Sequence, residues 1–483
     1  MLLKLASRKS ELARLQAYLV ADQLKEQIPG IAIEFQFRES LGDKNLSDPL
    51  WKMPERGVFT EDFYQDLISE KADLVVHSWK DLPVQNRPDT EVVATLPRAD
   101  IRDLLLFKKS SLPKLQKHQL VTIFSSSPRR NYNLTPFLRD HLPFGNQIIQ
   151  FEPVRGNVQT RVRKMLEQPA CDGLILAKAA LDRLLSAKQE EFSSTKDFLS
   201  ASLQKCLWMV LPLSENPSAA AQGALAIEIK SSRSEVKAAL LKINDQETFD
   251  CVSSERQRLA EYGGGCHQKI GVTHLLKKFG KVEFLKGLTD AGHILDSQTQ
   301  FEKTVNIDHM TIVRSADAFE KEKLPLPKDF LTKAPRMAFF VAHADAWPNE
   351  MVQPKYVWTS GCATWKKLAA GGFWINGCQE SFGENEDKRL SVLIPEVKWT
   401  KLTHSEAKST DNLLVTYLLK ISPRPWKPLV GNDFYWKSAT LFNFFAERQP
   451  ELLTKNHFCG PGNTFDEIKK IYPQIKILWP TPK

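Results

Sequence analysis

The chain has 483 residues, too many for one hydrophobic core, so three or four domains are expected. Its 42% hydrophobic and 25% charged content argues against disorder and against a membrane protein, and no apolar run approaches the roughly 18 residues that span a bilayer. A net charge of +9 suits nucleic acid, an acidic membrane face or a small polyanion, and the positions of the arginines have to choose among them.

Residues 1–230 alternate short β-rich runs with helical segments. "LLKLAS" precedes "KSELARLQAYLVADQLKEQ", in which Leu12, Leu15 and Leu19 recur at helical spacing. "IAIEFQF", "DLVVHS", "EVVATL", "LVTIFSS", "IIQFEPV", "DGLILAKAAL" and "ALAIEIK" follow. Near-continuous apolar strands between helices predict parallel sheets covered on both faces, here as two α/β domains.

Basic and polar residues gather where these strands end. Arg8 and Ser10 follow the first, and Lys80 and Asp81 follow "VVHS". Ser126, Ser127, Arg129 and Arg130 follow "TIF"; Arg155, Asn157, Thr160 and Arg161 follow "FEPV". Ligands of open α/β sheets bind outside the carboxyl ends of the strands, and helix N-termini there favour anions. One such arginine is most simply a solvated charge, but scattered charges have no reason to choose successive strand ends. Asp81 is either an ion-pair partner or a carboxylate that stabilises a developing cation or moves a proton. Aromatic residues do not interleave with the basic ones as a nucleic-acid stacking platform requires.

Residues 231–315 change character: a helix in "DQETFDCVSSERQRLAEY", then "EYGGGCHQKIG", then a hairpin turning at Asp290-Ala291-Gly292. The seven cysteines are scattered, without metal or disulfide spacing. That suits a reducing, cytoplasmic setting, and no metal is expected. Cys266, after three glycines, is an isolated thiol on a yielding backbone. The prolines at 325, 327 and 335 mark residues 316–336 as a linker, and 337–483 begin another α/β region.

The stretches "ASRKSELARLQA", "HSWKDLP", "SSSPRRNYNL", "VRGNVQTRVRK", "AAQGALAIE" and "GGGCHQKIG" stand in the order and register of the porphobilinogen deaminase (hydroxymethylbilane synthase) family, which the chain resembles over 1–310. The resemblance implies two periplasmic-binding-protein-like α/β domains (1–97 with 200–230, and 98–199) and a small α+β domain (231–315). It also implies a dipyrromethane cofactor joined to Cys266 through a thioether. Four porphobilinogen molecules would be added head to tail with loss of ammonia, and water would release hydroxymethylbilane. Asp81 matches the catalytic aspartate. Lys80, Ser126, Ser127, Arg129, Arg130 and Arg155 match cofactor contacts, and Arg8, Ser10, Arg161, Arg183 and Gln222 substrate contacts. A monomer with a small-molecule substrate, and neither nucleic acid nor membrane as partner, is expected. Residues 52–59, Pro128 and Lys269 depart from the family pattern. An anion-binding receptor is the rival reading, but a receptor needs no thiol on a glycine loop.

In the last third, "VWTSGCATWKKLAAGGF" and "HFCGPGNTFDEIKKIYP" both read as strand, glycine turn and amphipathic helix. They resemble the turns of uroporphyrinogen-III synthase, which closes hydroxymethylbilane into a macrocycle. That resemblance implies anion-facing turns at Ser360, Thr364, Gly460, Pro461 and Thr464, or else an inactive remnant with a structural or docking role. Ordinary helix capping explains the same residues equally well.

Overall fold

The computed structural model describes residues 1–39, 60–85, 87–264, 268–301, 309–407, 409 and 412–482. The first strands, β1 (Leu2–Arg8), β2 (Ala32–Arg38), β3 (Leu74–Ser78) and β4 (Thr90–Ala94), form one sheet. The chain then crosses to a second sheet made of β5 (Asp103–Lys108), β6 (Val121–Phe124), β7 (Ile149–Glu152), β8 (Gly173–Ala177) and β9 (Cys206–Val210), and returns with β10 (Leu225–Lys230). The strand orders are β2-β1-β3-β10-β4 and β7-β6-β8-β5-β9.

Neither sheet is purely parallel, as the apolar runs had suggested. β10 runs antiparallel to β3 and β4, and β5 runs antiparallel to β8 and β9. The two strands adjoining the crossings are inserted in the reverse direction. β9 also belongs to the second sheet, so the return crossing lies after Val210 rather than at residue 200.

A third sheet is the antiparallel meander β11 (Gly271–Lys277), β12 (Gly280–Leu288) and β13 (Ile294–Gln300), with the expected tight turn around Gly292, φ +83°. Helix Gln246–Ala260 packs on β11. Its Glu255, fully buried, takes both ends of the Arg98 fork at 2.7 and 2.8 Å and accepts from the backbone of Ala221 and His274. One carboxylate therefore ties the third sheet to both crossings.

The C-terminal third starts earlier than its composition suggested. β14 (Thr311–Val313) joins one sheet, and β15 (Phe319–Lys323), inside the expected linker, joins another. After β16 (Ala338–Val341), β17 (Tyr356–Thr359), β18 (Gly377–Cys378), β19 (Trp399–His404) and β20 (Asn412–Ile421), the chain returns with β21 (Asp433–Trp436), β22 (Asn456–Cys459) and β23 (Lys476–Ile477). The six-stranded order is β15-β20-β19-β16-β17-β18, and the four-stranded order is β14-β21-β22-β23. The sequence "FEKEK" of β15 reads as linker because this edge strand exposes four charged residues in a row and buries only Phe319.

The second and the six-stranded sheets share a core. Leu105, Phe107, Ile123 and Met209 are continuous with Phe339, Val357, Trp365 and Trp374. Backbone polar groups along the seam are paired: Val210 N donates to Asn376 O at 2.8 Å, and Trp374 Nε1 and Asn376 Nδ2 donate to Trp208 O at 3.0 and 2.9 Å. Edge strand β9 is thus covered rather than exposed. Glu380 accepts from the backbone N–H groups of Leu213 and Ser214 across the same seam, and burial pushes its carboxyl up to about 7.

Candidate active site

Asp103, the first residue of β5, is fully buried at the return of the chain into the second sheet. Its carboxylate accepts from Arg130 at 2.7 and 3.1 Å, Arg129 at 2.9 Å, Asn216 at 2.8 Å and Gln222 at 2.9 Å. Against the cost of its burial, the adjacent guanidinium groups hold its pKa well below the usual carboxylate range. Arg129 and Arg130 sit in the first turn of helix Pro128–His141, where Pro128 supplies the fixed φ suited to a helix start and Ser127 accepts from Arg130 N. The departure at Pro128 is thus accommodated without strain.

From Asp103 the network runs outward. Gln222, also buried, receives the Lys80 ammonium at 3.2 Å. Lys80 and Asp81 lie in the short 3₁₀ turn that ends β3. Burial pushes the Lys80 ammonium down to about 8, with Arg130 and Arg129 adding to the effect and Asp81 and Asp103 opposing it. Burial likewise pushes Arg161 down to about 10, with Arg130 and Arg155 adding to it and Asp81 opposing. Arg183 is pushed to about 10 by burial; its Nη2 donates to Gly223 O at 2.7 Å. Asp81 itself is exposed. One open carboxylate therefore faces cations that destabilise one another, the electrostatic condition of a site built for an anion.

Most of the expected residues converge here, with some differences. Arg129 has both terminal nitrogens committed, to Asp103, Asn216 and Pro217 O, so it braces the site instead of facing a ligand. Ser126 joins two strand ends, donating to Val154 O and accepting from Val154 N. Arg161 Nε is fixed by Gly156 O at 2.7 Å. Arg8 closes β1, and Ser10 takes the N-cap position of helix Glu11–Gln27. Asp103 and Asn216 were not anticipated. An acid opening the strand "DLLLFK", with four apolar residues directly after it, was the available signal, because a charge so placed is buried and has to be paired.

Gly263 and Gly264 have φ of +94° and +65°, the left-handed backbone that only glycine adopts freely. Residues 52–59, Cys266 and His267 lie outside the described residues. Lys269 stands over the Tyr132 ring at 6.0 Å, on the same helix as the arginine pair.

The two C-terminal sheets enclose a cleft of about 1130 Å³. Ser360, Gly460, Pro461 and Thr464 line it, as do Arg314, Lys321, Lys401 and Lys437. Thr364 does not: it is buried within helix Cys362–Ala370. The sheets touch at Gly383 and Gly462, where a Cβ on either would come within 2.9 Å of the other's Cα.

Paired α/β sheets with surplus cations around one acid define a polyanion-handling enzyme scaffold. A family model described as "Porphobilinogen deaminase, dipyromethane cofactor binding domain" matches residues 3–238. The porphobilinogen deaminase of Syntrophomonas wolfei is 38% identical over 287 residues, covering 59% of this chain and 84% of that one. That of Helicobacter acinonychis is 33% identical over 313 residues, covering 63% and 91%. The chain belongs to the porphobilinogen deaminase family. It is accordingly a transferase of tetrapyrrole biosynthesis, a hydroxymethylbilane synthase with a dipyrromethane cofactor. Among solved structures, a periplasmic sulfonate-binding protein from Methylobacillus flagellatus aligns with TM-score 0.28 and 13% identity over 54% of this chain and 69% of that one, too low to bear on function.

Asp103→Asn is expected to cost on the order of 3–5 kcal/mol, because it leaves two buried guanidinium groups without their counter-charge. The pKa of Asp103 in the folded protein is displaced downward. Its contribution is therefore complete above the unfolded value of about 4 and lost as pH falls below it. Urea unfolding from neutral to acidic pH should show the wild-type advantage shrinking; an equal gap at every pH would contradict this.

Proposed function

We propose that Cys266 carries the cofactor as a thioether and that Asp81 is the catalytic carboxylate. The supporting observation is the surplus of buried cations around Asp81. Two pyrrole rings bring four carboxylates, and Lys80, Arg155 and Arg161 are the residues suited to hold them, with Ser126 and Ser127 as polar contacts; Arg130, expected among the cofactor contacts, has its nitrogens on Asp103 and Ile175 O and frames the site beside Arg129. When bound, the cofactor supplies the nucleophilic pyrrole carbon from which the product grows. Arg8, Ser10, Arg183 and Gln222 are assigned to the incoming porphobilinogen. As its aminomethyl group leaves as ammonia, positive charge develops on the pyrrole, and Asp81 is the one acid placed to stabilise it and to receive the proton released on coupling. Gly263 and Gly264 precede the attachment point in backbone that only glycine adopts freely.

We further propose that the C-terminal cleft closes hydroxymethylbilane into uroporphyrinogen III. Its size and its glycine turns at Ser360, Gly460, Pro461 and Thr464 support this. The mixed lining, with Glu384, Glu447 and Glu467 among the cations, and the core shared with the second sheet favour the other reading, an inactive domain that braces the deaminase.

Intact mass should show an adduct of two porphobilinogen-derived units on the wild type and none on Cys266→Ser; an unmodified, folded wild type would remove the covalent assignment. Asp81→Asn should fold normally, keep the adduct and turn over about 10²–10⁴-fold more slowly; near-normal turnover would exclude Asp81. Purified protein given porphobilinogen alone should yield the III isomer of uroporphyrinogen, whereas the I isomer alone would leave the C-terminal domain with the bracing role.

A further inference from the structure

Two of the scattered cysteines meet in the fold. Cys362 opens the helix that follows β17, and Cys378 ends β18, its neighbour in the sheet. Their Sγ atoms are 3.9 Å apart. A carboxylate oxygen of Glu380 completes a triangle in which all three atoms lie within 4.8 Å of one another. Among the described residues this is the only such group of three donors. The other described cysteines, at 171, 206, 251 and 459, contribute to none.

We propose that Cys362, Cys378 and Glu380 bind a divalent, thiophilic cation of the Zn²⁺ class at the seam between the deaminase and the C-terminal third. Tetrahedral zinc with bonds of about 2.3 Å to sulfur places two thiolates about 3.8 Å apart, close to the spacing found here. Glu380 and Ser381 both adopt left-handed backbone, φ +53° and +59°, a cost that non-glycine residues bear where a side chain must be aimed. The aim is also fixed from outside. Leu213 N and Ser214 N of the deaminase hold the carboxylate, as outer partners hold a metal ligand. Ser214 Oγ stands 3.6 Å from Cys362 Sγ, which leaves the fourth position to that hydroxyl or to a water. A disulfide would use only the two sulfurs; a cation uses all three donors. Binding expels one proton from each thiol to solvent, so the dication replaces two protons and the net charge of the site is unchanged. The ion would act as a staple between the two halves. The residues separating the thiols in sequence do not form a metal motif, which is why spacing alone gave no sign of it.

Full-length, reduced protein titrated with Co²⁺ should take up one ion per chain with an intense sulfur-to-cobalt charge-transfer band, displaced by Zn²⁺. Cys362→Ser and Cys378→Ser should each diminish the band and weaken Zn²⁺ at least about 100-fold, and Glu380→Gln at least about 10-fold. Cys171→Ala should change nothing. Circular dichroism reports whether each variant folds, and the wild-type titration decides if they do not. Folded wild type without the band, a band retained in both serine variants, or a native Cys362–Cys378 disulfide would overturn the proposal.

Discussion

The buried carboxylate of Asp103 holds the active region together. It stands where the chain enters the second sheet, and its four partners come from three separate segments: the helix that follows β6, the strand-free stretch after β9, and the turn before β10. Buried charge is costly unless every lone pair is used, and here five hydrogen bonds meet that condition. The arrangement does more than stabilise. It fixes Gln222, which fixes Lys80, which stands beside Asp81. The position of Asp81, in the turn that ends β3 of the first sheet, is therefore set from a residue of the second.

This explains how the cationic surplus is maintained. Lys80, Arg161 and Arg183 are pushed toward losing their protons by burial, yet each retains a specific acceptor: Gln222, Gly156 O and Gly223 O respectively. Those acceptors are neutral. They orient the side chains without cancelling the charge that an anionic substrate has to meet. Arg129 and Arg130 are the contrasting case, neutralised in part by Asp103 and serving as the frame.

Much of this was legible in the residues. Strand ends carrying Arg8, Lys80, Arg129 and Arg155 pointed to an anion site, and eight of the ten strands before residue 231 stood out as apolar runs. The two that did not, β5 and β9, are the ones that neighbour each other in the second sheet, flanked by segments that look like loops. Missing β5 concealed Asp103, and missing β9 displaced the return crossing. Pairwise relations across long separations leave no periodic trace, so neither Asp103 with Gln222 nor Cys362 with Cys378 was visible. β15 failed for another reason: its edge position removes the hydrophobic signal on which strand reading depends.

The shared core sets where the molecule can deform. The second sheet is joined to the six-stranded sheet through Trp365, Trp374 and Asn376, and through the Arg102 and Lys178 side chains bonded to the carbonyls of Lys388 and Arg389. Sliding these apart would expose large aromatic surfaces and unpaired polar groups together. Among the described residues the first sheet has no comparable attachment to the C-terminal third: Arg389 donates to Arg98 O at 3.4 Å, which reaches only the crossing. The first sheet is held to the second through helix Glu11–Gln27, whose Leu15 enters the core of the second sheet and whose Arg14 pairs with Glu191 at 2.5 Å. The C-terminal third, whatever chemistry its cleft performs, thus braces the wall of the deaminase that the second sheet forms.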